Sequence, residues 1–301
     1  MLEEEGKHYM QISTSTAILH PNTLHSDNVQ IRRIPEMLKD AGFESIDWSL
    51  WELCLRDSRQ FEGPLTENDW LSVVNGLREA TDKAGLPCGQ THCVSVNNKA
   101  FAQLDHEQLR EMERRCVLSS SILGASWMVI HPFAPENLGS EEAIRYYAEY
   151  LKPIQEWAHS NNVGIAIENM IARSNQPKRF CSSAGELYEL IRFINDPLVG
   201  CCWDTGHANI SGCDQYDSIL CLGDHLKALH IDDNFGTDMD LHLLPFEGKI
   251  CWEKVMFALK KIHYNNDFAF EHALNVTPAD VMPKQLSYMC FLGRYLVDMD
   301  E

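Results

Sequence analysis

The sequence predicts an α/β protein of the (β/α)8 barrel class, formed as a single domain over residues 1–301. Short apolar segments alternate with longer segments of helical spacing along the whole chain, and eight such units can be counted. No linker rich in Ser or Gly interrupts them. The strand segments are apolar throughout rather than alternately apolar and polar, which is typical of a parallel sheet covered by helices.

The predicted elements follow one another in a regular order. The strand segments are residues 9–14, 45–50, 86–94, 127–131, 163–169, 199–204, 226–232 and 268–271. The helical segments lie near residues 29–41, 68–84, 106–124, 141–161, 184–194, 215–223, 252–263 and 278–297. Short connections between eight such units favour closure of the sheet into a barrel.

Two helix starts and one alternative fold can also be tested. Thr66-Glu-Asn-Asp69 indicates a capping box, and Thr277 before Pro278 indicates an N-cap followed by a proline at the first helical position. The alternative to a barrel is a doubly wound open sheet, which requires a Gly-rich turn after its first strand. Here the first strand leads into STSTAILHP, which contains no glycine.

Composition limits the partners and the compartment. Lys and Arg total 25 against 44 acidic residues, which gives a formal net charge of −19. This charge argues against nucleic acid and anionic membranes as partners, unless a basic patch or bound cations reverse it locally. No apolar stretch approaches the ~18 residues of a membrane span. The N-terminus lacks an apolar region and the eleven cysteines include no C-x-x-C motif, so we expect reduced thiols and a cytoplasmic protein.

Side chains that bind divalent metals stand where six successive predicted strands end. Because the carboxyl ends of barrel strands meet at one face, these side chains are expected to lie close together. They are His92, His131, Glu168, Asp204, His230 and Glu271, with His207 three positions after Asp204. In the loop after the seventh strand, Asp240 and His242 alternate, which directs both side chains the same way if that loop is extended.

Each of these residues has a simpler interpretation when it is taken alone. A single His after an apolar strand is more often a hydrogen-bonded core residue than a metal ligand. Glu168 and Glu271 could form salt bridges, but few cations lie near them in the sequence. Asp204 could be a helix N-cap and His207 an exposed residue. Taken together, however, several converging carboxylates without a cation would repel one another, so the set favours a metal site.

Residues 230 to 252, HIDDNFGTDMDLHLLPFEGKICW, together with DTGHANISG and IENM, resemble the xylose isomerase-like TIM-barrel superfamily. This superfamily contains sugar isomerases and epimerases, inosose dehydratases and the apurinic-site endonuclease IV. In its sugar epimerases, one divalent ion, often manganese, is held at the positions of Glu168, Asp204, His230 and Glu271. The resemblance implies that the two glutamates are also the catalytic acid/base pair and that His207 contacts the substrate.

The endonuclease branch of the superfamily holds three zinc ions with nine residues. Similar residue types stand here at His92, His131, Glu168, Asp204, His207, His230, Asp240, His242 and Glu271. The resemblance therefore implies a divalent cofactor, Mn²⁺ or Zn²⁺, with one to three ions. It also implies that chains can pair as homodimers, although no stretch of the sequence marks an interface.

The function expected from these residues is that of a metal-dependent sugar or sugar phosphate isomerase or epimerase in carbohydrate metabolism. One glutamate would remove a proton next to a carbonyl and the other would return it, with the metal-bound enediolate stabilised by the ion. Trp48, Trp51 and Phe133 could pack against a small sugar-like substrate, but such aromatic residues are at least as often core. The segment ARSNQPKRF, residues 172–180, is expected to be a solvated loop; the alternatives are that it covers the site or binds a phosphate.

Two other functions remain as alternatives. The complete set of nine residues favours a multinuclear zinc phosphodiesterase, but the acidic charge opposes binding to a DNA duplex. The loop LLPFEGK, residues 243–249, is closer to the pattern of the sugar enzymes of the superfamily, although the Arg that usually follows the seventh-strand His of the epimerases is absent. A non-enzymatic metal or sugar sensor ranks last, because no additional module remains once the barrel is counted.

Overall fold

The computed structural model describes residues 10–19, 31–57, 60–94, 105–272, 278 and 280–299. The barrel strands in these ranges are β1 (Ile12–Thr14), β2 (Ile46–Ser49), β3 (Cys88–His92), β4 (Trp127–Ile130), β5 (Gly164–Glu168), β6 (Val199–Asp204), β7 (Leu226–His230) and β8 (Phe268–Phe270). The helices are α1 (Ile34–Ala41), α2 (Leu50–Cys54), α3 (Trp70–Ala84), α4 (His106–Leu123), α5 (Ser140–Asn161), α6 (Ala184–Ile194), α7 (Thr205–Ile210), α8 (Gln215–Leu222), α9 (Trp252–Lys261) and α10 (Met282–Val297).

The eight strands close into a barrel. Strands β2 to β7 form one parallel sheet in chain order, and β8 pairs in parallel with β1. A bridge between Ser15 and Asp47 joins β1 to β2, and a bridge between Ile231 and Phe270 joins β7 to β8. The predicted (β/α)8 barrel is confirmed, and the doubly wound sheet is wrong because the first and last strands are neighbours.

Both faces of the barrel strands are buried, as their apolar runs predict. All residues of β5 and β6 are buried. Cys201 packs in the large core that the strands share with the helices, whereas Cys202 packs with small residues of β4, β5 and β7, namely Val129, Ala166 and Ala228. Successive residues of a strand thus point alternately outward and into the barrel.

The eight predicted helices are present as α1, α3, α4, α5, α6, α8, α9 and α10. The start of α4 shows how local sequence sets a boundary, because the Asp105 carboxylate accepts hydrogen bonds from the backbone N–H of Glu107 at 2.9 Å and Gln108 at 3.3 Å. The helix ends at Gly124, whose φ of +84° is the left-handed conformation that glycine adopts readily. No described helix is both long enough and apolar enough to cross a bilayer.

The capping box predicted at Thr66 is wrong. Helix α3 begins at Trp70, and its N-cap residue Asp69 makes no side-chain capping bond. The Thr66 hydroxyl donates instead to the carbonyl of Gly63 at 2.7 Å, within a 3-10 turn at Pro64–Thr66. The helix starts later than predicted because this separate turn precedes it. The N-cap predicted at Thr277 lies outside the described residues.

Several small elements were not predicted. The connection between β2 and α3 contains α2 and an antiparallel pair of short strands, Leu55–Asp57 and Gln60–Phe61. Helix α7 directly follows β6. These elements are too short to show a helical or strand period, which is why the pattern of apolar residues does not reveal them.

Packing inside the barrel can be tested at Gly164, the first residue of β5. A Cβ atom at this position would lie 2.3 Å from Cε3 of the Trp127 ring on the neighbouring strand. We expect Gly164→Ala to lower the free energy of unfolding by about 1–3 kcal/mol, measured by chemical denaturation. The penalty should shrink when the change is made in a Trp127→Ala background.

The matched control is Gly185→Ala in α6, where a Cβ atom would meet nothing within 4 Å. This change should leave stability unchanged or slightly higher. An equal penalty for Gly164→Ala with and without the Trp127 ring would contradict the explanation.

Candidate metal centre

The structure brings all nine predicted side chains to the C-terminal face of the barrel. They form three groups, and Glu168 belongs to two of them. We call these groups the central cluster, the histidine cluster and the loop cluster. The strand ends supply His92, Glu168, Asp204 and His230, and the segments after strands supply His131, His207, Asp240, His242 and Glu271.

The central cluster consists of Glu168, Asp204, His230 and Glu271. One potential ligand atom from each residue lies within 4.8 Å of those of the other three. His230 Nδ1 is 3.3 Å from Glu168 Oε1 and 3.2 Å from Glu271 Oε2. Four side chains from four different strand ends can therefore reach one common point.

The histidine cluster consists of His92, His131 and Glu168. The Nε2 atoms of the two histidines are 3.2 Å apart. They lie 3.3 Å and 3.0 Å from Glu168 Oε2. Since Glu168 directs Oε1 toward His230 and Oε2 toward these histidines, its carboxylate connects the two clusters.

The loop cluster consists of His207, Asp240 and His242. Asp240 Oδ2 lies 3.3 Å from His207 Nε2 and 3.4 Å from His242 Nε2. The backbone between β7 and α9 is held by a pair of bonds between Asp233 and Leu243, with N···O distances of 2.8 and 2.9 Å. This pairing places Asp240 and His242 over the face of the barrel.

Three of the histidine rings are oriented by backbone carbonyl groups. His92 Nδ1 lies 2.8 Å from the carbonyl oxygen of Cys93, His207 Nδ1 lies 2.8 Å from that of Asn169, and His242 Nδ1 lies 2.8 Å from that of Glu271. An Nδ1–H that donates to a carbonyl leaves the lone pair on Nε2. Each ring therefore presents Nε2 to its cluster, as metal-binding histidines commonly do.

Unsatisfied polar atoms test whether these residues fit a metal ion. Both oxygens of Glu168, Oδ2 of Asp204 and both ring nitrogens of His230 are buried and make no hydrogen bond of acceptable geometry. A buried carboxylate is costly unless it is hydrogen-bonded, paired or bound to a metal. Carboxylate oxygens and imidazole nitrogens are also the ligands that zinc and manganese accept. The residues of the central cluster therefore fit a divalent ion.

Burial and mutual contacts shift the pKa values of these groups in opposite directions. Burial, reinforced by Glu168, raises the pKa of Asp204 to about 7 against the opposing effect of His207. Burial alone would raise the pKa of Glu271, but His230 and His242 outweigh it and lower that pKa to about 2. Burial lowers the pKa of His131 to about 4. The site thus contains both ionised carboxylates and imidazoles of very different basicity.

Several residues that the sequence analysis did not single out support the clusters. Asn169 accepts from the Asp204 N–H at 2.6 Å and donates to the Asp204 carbonyl at 2.9 Å, so it fixes the end of β6. Asp47 Oδ2 lies 3.6 Å from His230 Nε2 and accepts from Gln90 Nε2 at 3.2 Å. Asp47 and Asp232 are fully buried carboxylates. The sequence carries a signal for Asp47, because charged residues within apolar strand segments are rare.

Asp233 holds the loop that carries the loop cluster. Its Oδ1 accepts from the N–H of Asn234 at 2.8 Å and of Ile250 at 3.1 Å. Its Oδ2 accepts from Trp252 Nε1 at 3.0 Å and from the N–H of Phe246 at 3.2 Å. A buried carboxylate with four donors fixes both ends of this loop against the barrel.

The aromatic residues near the site separate into two groups. Trp51 is half-buried, and its ring centroid lies 6.0 Å from that of His92 and 5.9 Å from that of His131. Trp48 is fully buried in the core, and Phe133 is buried against Tyr147 and Tyr150. Only Trp51 of the three borders the histidine cluster.

The fold and the three clusters define a (β/α)8 barrel with a candidate divalent-metal centre at its C-terminal face. The chain belongs to the family described as "Xylose isomerase-like TIM barrel", whose model matches residues 35–290. This confirms the resemblance carried by the residue 230–252 segment.

Individual relatives are distant. The chain is 25% identical over 286 residues to the uncharacterized protein y4fM of Sinorhizobium fredii, covering 83% of this chain and 82% of that protein. It is 28% identical over 184 residues to a probable endonuclease 4 of Staphylococcus carnosus, covering 56% of this chain and 60% of that protein. A solved structure of D-psicose 3-epimerase from Clostridium cellulolyticum superimposes with a TM-score of 0.70 at 14% identity, covering 96% of this chain and all of that one (100%).

The role of Asp233 can be tested by Asp233→Asn. An amide has one acceptor oxygen, so its NH₂ group would face two of the four N–H donors. We expect a loss of about 2–5 kcal/mol in the free energy of unfolding, measured by urea denaturation of the metal-free protein.

The control for this change is Asp238→Asn in the same loop. Asp238 is less buried, and its Oδ1 accepts from the N–H of Ser174 at 3.2 Å, which an amide oxygen can also do. If Asp238→Asn lowers the free energy of unfolding as much as Asp233→Asn does, any substitution in this loop is destabilising. The four hydrogen bonds to Asp233 would then not explain the loss.

The pKa shifts of the histidines predict how metal binding depends on pH. Burial alone would lower the pKa of these imidazoles, but the surrounding carboxylates together outweigh it, with Asp204 the strongest of them at His207 and Asp240 at His242. A raised pKa stabilises the metal-free protein below the ordinary value of 6.5, and this contribution is lost as the pH rises through the folded-state value. Metal binding requires neutral imidazoles and strengthens over the same range.

The difference in Tm between metal-loaded and chelator-treated protein should therefore be larger at about pH 8 than at about pH 6. His230→Gln should reduce this difference. His159→Gln should leave it intact, because that exposed imidazole, in the last turn of α5, pairs with Asp196 before β6, at the end of the barrel opposite to the clusters. A difference in Tm that is constant or falls with pH would contradict the assignment of these histidines.

Proposed function

We propose that this protein is a divalent-metal-dependent isomerase or epimerase of a small sugar or sugar phosphate. The observation that carries the proposal is the approach of two glutamates from different strands to one imidazole nitrogen. Glu168 and Glu271 lie 3.3 and 3.2 Å from His230 Nδ1. A substrate bound at the central cluster would have a carboxylate available on each of two strands for removing and returning a proton.

The ion would be held by Glu168, Asp204, His230 and Glu271. When bound, a divalent ion such as Mn²⁺ or Zn²⁺ polarises the substrate carbonyl and lowers the cost of the negative charge that develops beside it. Glu168 or Glu271 removes the proton from the carbon next to that carbonyl, and the other glutamate returns it. Burial of the cluster keeps bulk water away from the carbon while it lacks its proton.

Two further residues fit a sugar substrate. His207 presents Nε2 beside Asp240 because its Nδ1 is engaged with Asn169, so it is placed to orient a hydroxyl group. Trp51 borders the histidine cluster and offers an apolar surface to a sugar ring. The solved D-psicose 3-epimerase was crystallised with D-tagatose, which supports this class of substrate.

The acid/base roles can be tested by proton exchange. In deuterated water, the metal-loaded protein should incorporate deuterium into a ketose among D-psicose, D-tagatose, D-fructose and their phosphates, followed by NMR. Glu271→Gln should lower the rate about 10²- to 10⁴-fold because one proton-transfer group is lost.

A matched control is Glu253→Gln, which changes an exposed glutamate of α9. Its exchange rate should equal that of the unchanged protein. Metal content must be measured in each variant, because Glu271 is also a proposed ligand. Full exchange by metal-loaded Glu271→Gln would rule out the acid/base role.

A second candidate function, that of a multinuclear zinc phosphodiesterase, is favoured by the two outer clusters. The histidine and loop clusters bring five further ligands beside the central four, and the probable endonuclease 4 of Staphylococcus carnosus is a relative. The net charge of −19 opposes binding to a DNA backbone. About three zinc ions per chain and cleavage of abasic duplex DNA would favour the hydrolase, whereas one ion and no cleavage would dismiss it.

A further inference from the structure

The loop between β5 and α6, residues 169–183, is fixed over the C-terminal face of the barrel. The N–H of Met170 donates to the carbonyl of Cys181 at 2.8 Å, which closes the base of the loop. The N–H of Ala172 donates to Ser211 Oγ at 2.8 Å. Bonds at the base and along the first half of the loop therefore limit where its side chains can go.

The same loop is also tied to the segment that carries the loop cluster. Arg173 Nε donates to the carbonyl of Asp238 at 2.8 Å, and the Ser174 hydroxyl lies 3.1 Å from Asp238 Oδ2. Asp238 is two residues before Asp240. The two loops are thus connected to each other across the site.

The three cations of this loop differ in their partners. Arg173 is engaged with Asp238, and exposed Lys178 pairs with Glu186 at 2.8 Å. Arg179 is half-buried, yet it makes no hydrogen bond or ion pair with any residue that the structure describes. Since none of its nitrogen atoms is buried without a hydrogen bond, solvent reaches the guanidinium, and its N–H donors are open to a bound anion.

Arg179 lies two residues before Cys181, whose carbonyl is bonded to the N–H of Met170, two residues after Glu168. Burial lowers the pKa of Arg179, while the charges of Glu168 and Asp240 act in the opposite direction. After burial and Glu168, the charges of His92 and Arg179 also influence the pKa of His131. Glu168 belongs to the central and histidine clusters, and Asp240 to the loop cluster. The guanidinium charge therefore acts on the region where a substrate would contact the clusters.

A neutral sugar needs no such cation. An anionic substituent, in contrast, would meet the carboxylates of Glu168, Asp204, Asp240 and Glu271, and repulsion would exclude it unless a positive group faced it. A guanidinium is suited to this task because its planar N–H groups match two oxygens of a phosphate or a carboxylate at once.

We propose that Arg179 binds an oxyanion substituent of the substrate, a phosphate monoester or a carboxylate, so that the protein acts on charged rather than neutral sugars. This inference rests on the proposed isomerase or epimerase function and names its substrate class. Arg179 is a specificity residue, and the proton transfers remain with Glu168 and Glu271.

The first experiment measures binding of inorganic phosphate to the metal-loaded protein by calorimetry. Arg179→Gln should weaken binding about 10- to 100-fold, and Arg179→Lys should fall between the two because an ammonium offers charge without the planar fork. Lys178→Gln is the matched control and should bind as the unchanged protein does. Phosphate can also contact bound ions directly, so the variants are compared at equal metal content and equal Tm.

Unchanged phosphate affinity in Arg179→Gln at equal metal content would overturn the inference, as would the absence of phosphate binding to the unchanged protein. If Arg179→Gln does not fold, Arg179→Lys replaces it in the test. Phosphate affinity equal to that of the unchanged protein would then contradict binding through the planar guanidinium.

The second experiment separates this inference from the proposed function. Deuterium incorporation is compared for D-fructose, D-fructose 6-phosphate and a uronic acid ketose, which distinguishes neutral, phosphate and carboxylate substrates. We expect a preference for one charged substrate, and Arg179→Gln should raise its KM more than it lowers kcat.

Two results would distinguish failure of the Arg179 inference from failure of the proposed isomerase or epimerase function. Exchange into neutral sugars that is as fast as into charged ones, and insensitive to Arg179→Gln, would end the inference and leave the isomerase function standing. Phosphate binding that depends on Arg179, without exchange into any ketose, would end the isomerase function and leave an oxyanion site.

Discussion

The buried carboxylate of Glu168 is the constraint on which the whole site depends. It lies at the end of β5 without exposure to solvent, and nitrogen atoms of His92, His131, His207 and His230 lie 3.0 to 3.3 Å from its oxygens. None of these contacts has the geometry of a hydrogen bond that satisfies the carboxylate. A buried charge in this position needs positive charge around it, so the imidazoles must be protonated or a cation must be present. Glu168 belongs to both the central cluster and the histidine cluster. Binding of a metal ion at one of these clusters therefore affects binding at the other.

The fold and the membership of the site could be predicted because both depend on the same pattern. Parallel strands that are buried on both faces are apolar until they reach the C-terminal face, where the first polar residue marks both the strand end and the site. Glu168 and Asp204 are polar residues of this kind, and the structure places them where the pattern predicts. The grouping into three clusters could not be predicted, because it depends on side-chain directions and on the curvature of the closed sheet.

Residues inside the strands and loops were harder to recognise. Asp47 lies within a predicted strand, and its proximity to His230 depends on the arrangement of β2 and β7 around the barrel. The helix start predicted at Thr66 is wrong, because a capping pattern in the sequence does not exclude a separate turn before the helix. Asp240 and His242 were expected to point the same way from an extended loop. Asp240 Oδ2 lies 3.4 Å from His242 Nε2, but His242 has a φ of +45°, in the left-handed region, so the loop is not extended there. Strand-like alternation therefore does not describe how this local backbone brings the two side chains together.

The closure of the barrel has a consequence for motion. β1 and β8 pair with each other over three residues, but among the described residues each meets the six-stranded sheet through an isolated bridge, Ser15–Asp47 on one side and Ile231–Phe270 on the other. On the β1 side, the N–H groups of Glu44 and Ser45 add bonds to the carbonyl of Ile12. Local opening is easiest where few backbone hydrogen bonds must break. Glu271 directly follows β8, whereas Glu168 and Asp204 end strands in the middle of the six-stranded sheet. A fluctuation that loosens this seam would therefore move Glu271 relative to Glu168, while Glu168 and Asp204 keep their places in the six-stranded sheet.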